Sequence, residues 1–362
     1  MLVRSGLFDL PDSYQQCQIE TLKRFPLTVY RVLWKAPGAP EALSIIVKSV
    51  PSETVPQWIE PLFATDAFTV ESALARLMQE QHYLRVAEQV QPDSAWAPKL
   101  IFQDEPLRCL VQTDPKPRNT LETNARRGLV FTPSQLSALG QKLGSFHTES
   151  RRWTQNFSSH PQANAIRVAE YTDPISRPDA IRQAWQQQGF PDAWRDLQER
   201  FLARHGDVLR ATLPLLEQIT TDADPVVLHG QLTGADIFMG AGPQITVVNA
   251  GLSQPGAAWW DPGVLVAHLH CLSTLAHAGY EYAVPFLSGY LSGLEKPLAN
   301  ARMYPFLRNV YRVAGLELIR QILGVSPLAY LANVYLKETL LKRAVEMIQN
   351  PQALDDYRAL VQ

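Results

Sequence analysis

The sequence predicts an α+β protein of two lobes, a small antiparallel β-sheet lobe followed by a larger, mainly helical one. Three observations carry that expectation. Apolar and polar residues alternate along 14–50, the period of strands that bury one face. From 132 onward apolar positions recur every three or four residues, the inner stripe of a helix. At 362 residues and 46% hydrophobic content, the chain has enough apolar surface to fill two lobes. The expected division places a β-rich lobe with one long helix in 1–113 and a mainly helical lobe in 114–362.

Composition narrows the function classes. A net charge of −2 provides no basic field for nucleic acid, and no Lys/Arg run suits an anionic membrane surface. Cys17, Cys109 and Cys271 are odd in number and far apart, which fits reduced thiols rather than a disulfide scaffold. The N-terminus lacks an apolar core of signal-peptide length. The most apolar window, 264–278, is broken by His268, His270 and His277, so a soluble, cytoplasmic protein is expected. His268 and His270 stand two apart and point to different faces of a helix. His270 and His277 share a face but have no carboxylate between them, so no zinc site is expected. Neither a Gly-x-Ser-x-Gly elbow nor a dinucleotide fingerprint occurs.

In chain order, strands are expected at 17–25, 28–35 and 43–50, with turns at Pro26 and at Pro37-Gly38-Ala39-Pro40. Apolar residues at 70, 73, 74, 77 and 78 then mark a helix. Strands at 98–102 and 107–112 follow, the second running into the stiff linker Thr113-Asp114-Pro115-Lys116-Pro117. Leu136, Leu139, Leu143 and Phe146 form the stripe of a helix over 134–147. Residues 150–175 read as a polar loop, and 176–188 and 191–220 as helices.

The stretch 226–267 organises the rest. Its loop His229-Gly230-Gln231-Leu232 precedes two short β-rich runs, 237–239 and 245–248, that flank Gly240-Ala241-Gly242-Pro243, a tight hairpin. Asn249 ends the second run. Asp261 is placed as an N-cap with Pro262 at the first helical position. Four or five amphipathic helices are expected over 264–361, among them 307–323 and 328–349.

A loop, a hairpin and a strand-end polar residue in this order resemble the catalytic segment of the aminoglycoside phosphotransferase and choline kinase superfamily. Leu-Gly-Gln-Lys-Leu-Gly-Ser-Phe-His, ending at His147, resembles that superfamily's Leu-Gly-x-x-Leu-Ala-x-Leu-His, and the likeness extends over about 15–320. It implies a bilobal, protein-kinase-like fold with ATP and Mg2+ as cofactors. By the superfamily's offsets Gln231 occupies the catalytic aspartate position, and Asp236 and Asn249 the two metal positions. Lys48 falls where a lysine pairs the α/β-phosphates, with Glu71 as its partner glutamate and Glu80 as the alternative. Val111, Gln112 and Thr113 are the adenine contacts, and Lys23-Arg24-Phe25-Pro26-Leu27 is the turn over the phosphates. His147 is expected to be structural.

The side chains at these positions depart from the pattern. Gln231 is a neutral carboxamide that can hydrogen-bond a hydroxyl but cannot take its proton. Asp236 and Asn249 are the expected carboxylate and amide with places exchanged, still an oxygen-bearing pair of the kind hard cations want. The phosphate turn has no glycine. Leu265 stands where the resemblance expects an aspartate bracing the catalytic loop, so bracing is expected from packing. The expectation is a degenerate, pseudokinase-like protein: a non-catalytic binder of nucleotide or small metabolite, acting as a regulatory or assembly protein with a protein partner. The alternatives are an active ATP-dependent phosphotransferase acting on a hydroxyl, and an interaction module with a collapsed cleft.

Overall fold

The computed structural model describes residues 17–23, 27–34, 43–50, 70–92, 96–104, 107–115, 119–240, 244–278, 281–296, 298–324, 331 and 333–361. Residues 24–26 of the phosphate turn, the turn at Pro37-Gly38-Ala39-Pro40, positions 116–118 and the hairpin tip 241–243 lie outside that set.

Strands β1 (Cys17–Lys23), β2 (Thr28–Trp34) and β3 (Leu43–Ser49) form an antiparallel meander, as the alternation predicts. Helix α1 (Val70–Val90) follows, then β4 (Leu100–Asp104) and β5 (Cys109–Thr113). The sheet order is β1-β2-β3-β5-β4, so β3 is central, β5 is interior and β4 lies at an edge. The two-residue period sorts the sheet's faces. Ile45, Val47, Val32 and Val111 cluster on one side. Leu110 packs with Ala73, Leu77 and Leu84 of α1 on the other. Lys48 alternates with Val47 and pairs with Leu110 in register, which sends its side chain toward α1.

The larger lobe contains α2 (Leu121–Arg126), α3 (Pro133–Ser150), α4 (Pro161–Ser176), α5 (Pro178–Gln187) and α6 (Asp192–Thr212). Two short antiparallel pairs follow. One joins β6 (Val226–Leu228) to β9 (Gln254–Gly256), the other β7 (Ile237–Met239) to β8 (Ile245–Val247). The lobe closes with α7 (Trp260–Leu275), α8 (Ala283–Ser292), α9 (Asn300–Leu323), α10 (Val334–Gln349) and α11 (Asp355–Val361). Thr132 and Gln135 satisfy each other's end of α3 in a capping box. Helix α7 is buried along Trp260 to Ser273, an axial position that explains its unbroken apolar run.

The polar stretch 150–175 is a correction to the loop reading. It forms a 3-10 turn at Arg151–Asn156 and then α4, begun by Pro161 at its first position and by a His160 ring nitrogen that accepts from Gln162 N–H. Composition hid the helix because its buried face carries Arg167 and Asp173 beside Ala163, Ile166 and Tyr171. Where α3 crosses α8, Gly140 lies against the backbone of Phe286 and Tyr290, and Gly144 against that of Tyr290 and Gly293. A Cβ on Gly140 would lie 1.9 Å from the Phe286 carbonyl oxygen, and one on Gly289 would lie 2.0 Å from that of Ser137. These glycines let the two backbones touch. Cys109 and Cys271 are both buried. Among the described residues, no helix is long and apolar enough to cross a membrane.

Candidate functional site

The loop after β6 is fixed from beneath by Asp261. Its Oδ2 accepts the N–H of His229 at 2.7 Å and its Oδ1 that of Gly230 at 2.9 Å, while His147 Nε2 donates to Oδ2 at 3.2 Å. Burial alone would raise the Asp261 pKa. The hydrogen bond from His147, the nearby imidazoles and the Gly230 amide outweigh it and hold the carboxyl below its usual value. The expectation that bracing comes from packing because Leu265 lacks a carboxylate is therefore corrected: the brace is present, on the residue read as a cap. Trp260 Nε1 donates to the Gly230 carbonyl at 2.9 Å, and His229 Nε2 to the Val248 carbonyl at 2.8 Å. Gly230 adopts φ +90°, and a Cβ there would lie 2.0 Å from the Leu252 carbonyl oxygen. Only glycine fits.

Lys48, Asp236 and Asn249 come together. Lys48 Nζ donates to Glu80 Oε1 at 2.5 Å and to Asn249 Oδ1 at 2.7 Å, and the Asn249 N–H donates to the same Glu80 oxygen at 3.2 Å. The lysine's partner is thus Glu80 and not Glu71, which is exposed in the first turn of α1. Nine residues at about 100° each place the two glutamates on opposite faces of the helix, and only the later one faces the sheet. Asn249 Nδ2 then donates to Asp236 Oδ1 at 2.8 Å, while Asp236 Oδ2 accepts the N–H of Thr233 at 3.1 Å and its hydroxyl at 2.6 Å. The orientation of the Asn249 amide follows from its neighbours, since ammonium can only donate and carboxylate only accept. Its backbone is left-handed, with φ +66°, a conformation asparagine tolerates better than most side chains.

Gln231 faces the other way. Its Nε2 donates to Glu170 Oε2 at 2.7 Å, a carboxylate that also accepts from Arg320 Nη1 at 3.1 Å and, through Oε1, from Arg76 Nη2 at 3.3 Å. Sequence reasoning missed Glu170, Arg76, Arg167 and Arg320. The available signal was the spacing of Arg167, Glu170 and Tyr171, which fall on one face of a helix, but only once 150–175 is read as helical.

The three residues expected at the adenine lie in the sheet. Val111, Gln112 and Thr113 lie in interior strand β5, paired to Val47, Ile46 and Ile45 of β3. On the other side β4 pairs with Val111 and Gln112, and Lys99 exchanges hydrogen bonds with Thr113.

The donor set does not match a magnesium pair. Asp236 is the single carboxylate, all of its hydrogen bonds come from Asn249 and Thr233, and the Asn249 amide presents N–H rather than oxygen toward it. Among the described residues no group of three or more His, Cys, Asp or Glu side chains could hold a metal ion. Lys48 does fit an anionic phosphate, being a buried cation at the end of a rigid strand.

No protein-family model matches the sequence, and no curated protein matches it significantly. Solved structures do match along nearly the whole chain. The amicoumacin kinase hAmiN, in complex with AMP-PNP, Ca2+ and Ami, superposes with a TM-score of 0.54 at 12% identity, covering 96% of this chain and 92% of that one. A choline kinase from Cryptosporidium parvum Iowa II gives 0.51 at 11% identity, covering 99% and 97%. The chain therefore shares the bilobal fold of these two kinases, with its five-stranded sheet as the small lobe and its helices as the large one.

Proposed function

We propose that the protein is a degenerate phosphotransferase-fold protein: a non-catalytic binder of a nucleotide or small metabolite, serving a regulatory or assembly role with a protein partner. One observation carries this reading. The groups that would run phosphoryl transfer satisfy each other, Gln231 on Glu170 and Asn249 between Lys48 and Asp236. A neutral carboxamide in place of the base removes a contribution of about 10²–10⁴ in rate. The exchanged Asp236 and Asn249 leave a single carboxylate for a divalent cation. Lys48 remains as the phosphate anchor, so nucleotide binding in this cleft is metal-independent. A thermal-shift screen with ATP, ADP and GTP, each with and without Mg2+, tests this. Stabilisation that does not need Mg2+, and falls away in Lys48→Met, is expected. Robust Mg2+-dependent transfer to a hydroxylated acceptor would sink the reading.

The second reading, an active ATP-dependent phosphotransferase, has one feature in its favour. Glu170 brings a carboxylate within 2.7 Å of Gln231, near where a base would act. It predicts ATP turnover by the purified protein that is lost in Glu170→Gln.

A further inference from the structure

Three guanidinium groups from three helices gather around the loop that carries Gln231. Arg76 comes from α1, Arg167 from α4 and Arg320 from α9. Arg320 is gripped by Glu317 through two hydrogen bonds of 2.7 Å and lies 5.4 Å over the Tyr171 ring. Tyr171 meets Trp260 edge-on at 5.2 Å, and Arg167 lies 5.6 Å over Trp260. This ladder fixes both guanidinium planes in advance of any ligand. Arg167 also donates through Nη2 to the Leu252 carbonyl, next to Gly251, which packs on Arg76.

One carboxylate reaches Gln231 within this cluster. Glu170 accepts from Gln231, Arg320 and Arg76, so the three donors converge on a planar, two-oxygen anion. Donors remain in excess. Arg76 Nε and Arg167 Nε and Nη1 are buried without a hydrogen-bond partner. A buried donor left unsatisfied is costly, so the cluster has capacity for more anionic oxygen than Glu170 supplies.

We propose that this cradle binds a small-molecule anion through a carboxylate or phosphate group presented to Arg76, Arg167 and Gln231, with Glu170 as its internal stand-in. The inference rests on the reading that the cleft binds rather than reacts, and it names the ligand's chemistry. Glu170 is 15% exposed and can swing outward. Arg167, three residues earlier on the same face of α4, then presents its unpartnered edge to the incoming group. The neutral side chain at 231 belongs to this arrangement, because an aspartate there would repel the ligand's charge.

Isothermal titration of the full chain with inorganic phosphate and with succinate, against chloride at matched ionic strength and without nucleotide or Mg2+, tests the site. Saturable binding is expected in the wild type. Glu170→Gln removes the competing charge and should tighten it, and Arg76→Gln should weaken it, each by about tenfold or more. Arg76→Lys keeps the charge but loses the fork, and should fall between Arg76→Gln and the wild type; it serves if the glutamine variant fails to fold. Binding of neither probe by wild type or Glu170→Gln overturns the proposal, as does binding that both Arg76 variants leave unchanged. Nucleotide is absent from the titration, so a failed nucleotide screen would leave this site standing. Mg2+-dependent transfer together with intact anion binding would overturn only the non-catalytic reading.

Discussion

Gln231 is where the chemistry of the cleft is decided. Its amide donates to the Glu170 carboxylate across 2.7 Å, a contact that an aspartate would turn into one between like charges. Gln231→Asp alone is therefore expected to lower stability, by about 1–3 kcal/mol, and to restore no transfer, because Asp236 and Asn249 remain exchanged. The combined variant Gln231→Asp, Asp236→Asn, Asn249→Asp is the one expected to gain Mg2+-dependent ATP turnover. Urea melts and a turnover assay on the two proteins check both halves. Gly230 is a different kind of constraint. Its φ of +90° and the 2.0 Å approach of the Leu252 carbonyl to a built Cβ leave alanine nowhere to sit. The conformational strain alone costs about 1–3 kcal/mol, and the clash with rigid backbone adds to it. Gly230→Ala should show a markedly lowered Tm, and a variant as stable as wild type would mean that the loop conformation is not the one described.

Among the elements, α1 and α10 show what a sequence pattern conveys and what it hides. The apolar stripe at 70, 73, 74, 77 and 78 marks α1, but the resemblance chose Glu71 over Glu80 as the glutamate that turns inward. Glu80 is 1% exposed and holds Lys48, whereas Glu71 is exposed. Lys48→Met should strand the Glu80 carboxylate at about 3–5 kcal/mol, while Glu71→Ala should stay within about 0.5 kcal/mol of wild type, a contrast that chemical denaturation reads directly. In α10 the hidden charge is Lys337, which is 1% exposed and sits 3.7 Å over the Trp194 ring with no hydrogen-bond partner for Nζ among the described residues. Burial lowers its pKa from 10.5 to about 8, opposed in part by Cys271. The unfolded chain takes up this proton as pH falls through 10.5, but the folded one resists until about 8, so this stability is complete above the upper value and lost by the lower. At neutral pH the penalty is about 3 kcal/mol, larger than the roughly 2 kcal/mol that the ring contact can return. Lys337→Met should accordingly be more stable than wild type at pH 7, with the gain shrinking toward pH 10 in paired thermal melts.

At the scale of the whole molecule, the architecture was legible because apolar periodicity alone specifies which faces must be covered, and the spacing along 226–267 fixed where loop, hairpin and helix meet. The charges around Gln231 were not legible, since Arg76, Glu170 and Arg320 come from helices far apart in sequence and meet only after the lobes pack. The same packing sets how the molecule should open. The large lobe is one continuous apolar cluster joining α3, α7 and α9. The small lobe's sheet is served by two small clusters, one on each face. Tyr83 and Val86 in the second half of α1 belong to the large cluster, whereas Ala73 and Leu77 in the first half belong to a small one, so α1 straddles the division. Regions with few buried apolar contacts open at lower free energy than the global transition. Native-state hydrogen exchange across a urea series should therefore show α7 and α9 exchanging only through global unfolding. Strands β1 to β3 and the start of α1 should exchange through a smaller opening that leaves the end of α1 protected. Lys48→Met, which removes the ties from β3 to Glu80 and Asn249, should lower that smaller opening more than it lowers the global one. Equal free energies and equal urea slopes for β3 and α7 in the wild type would show instead that the two lobes unfold as a single unit.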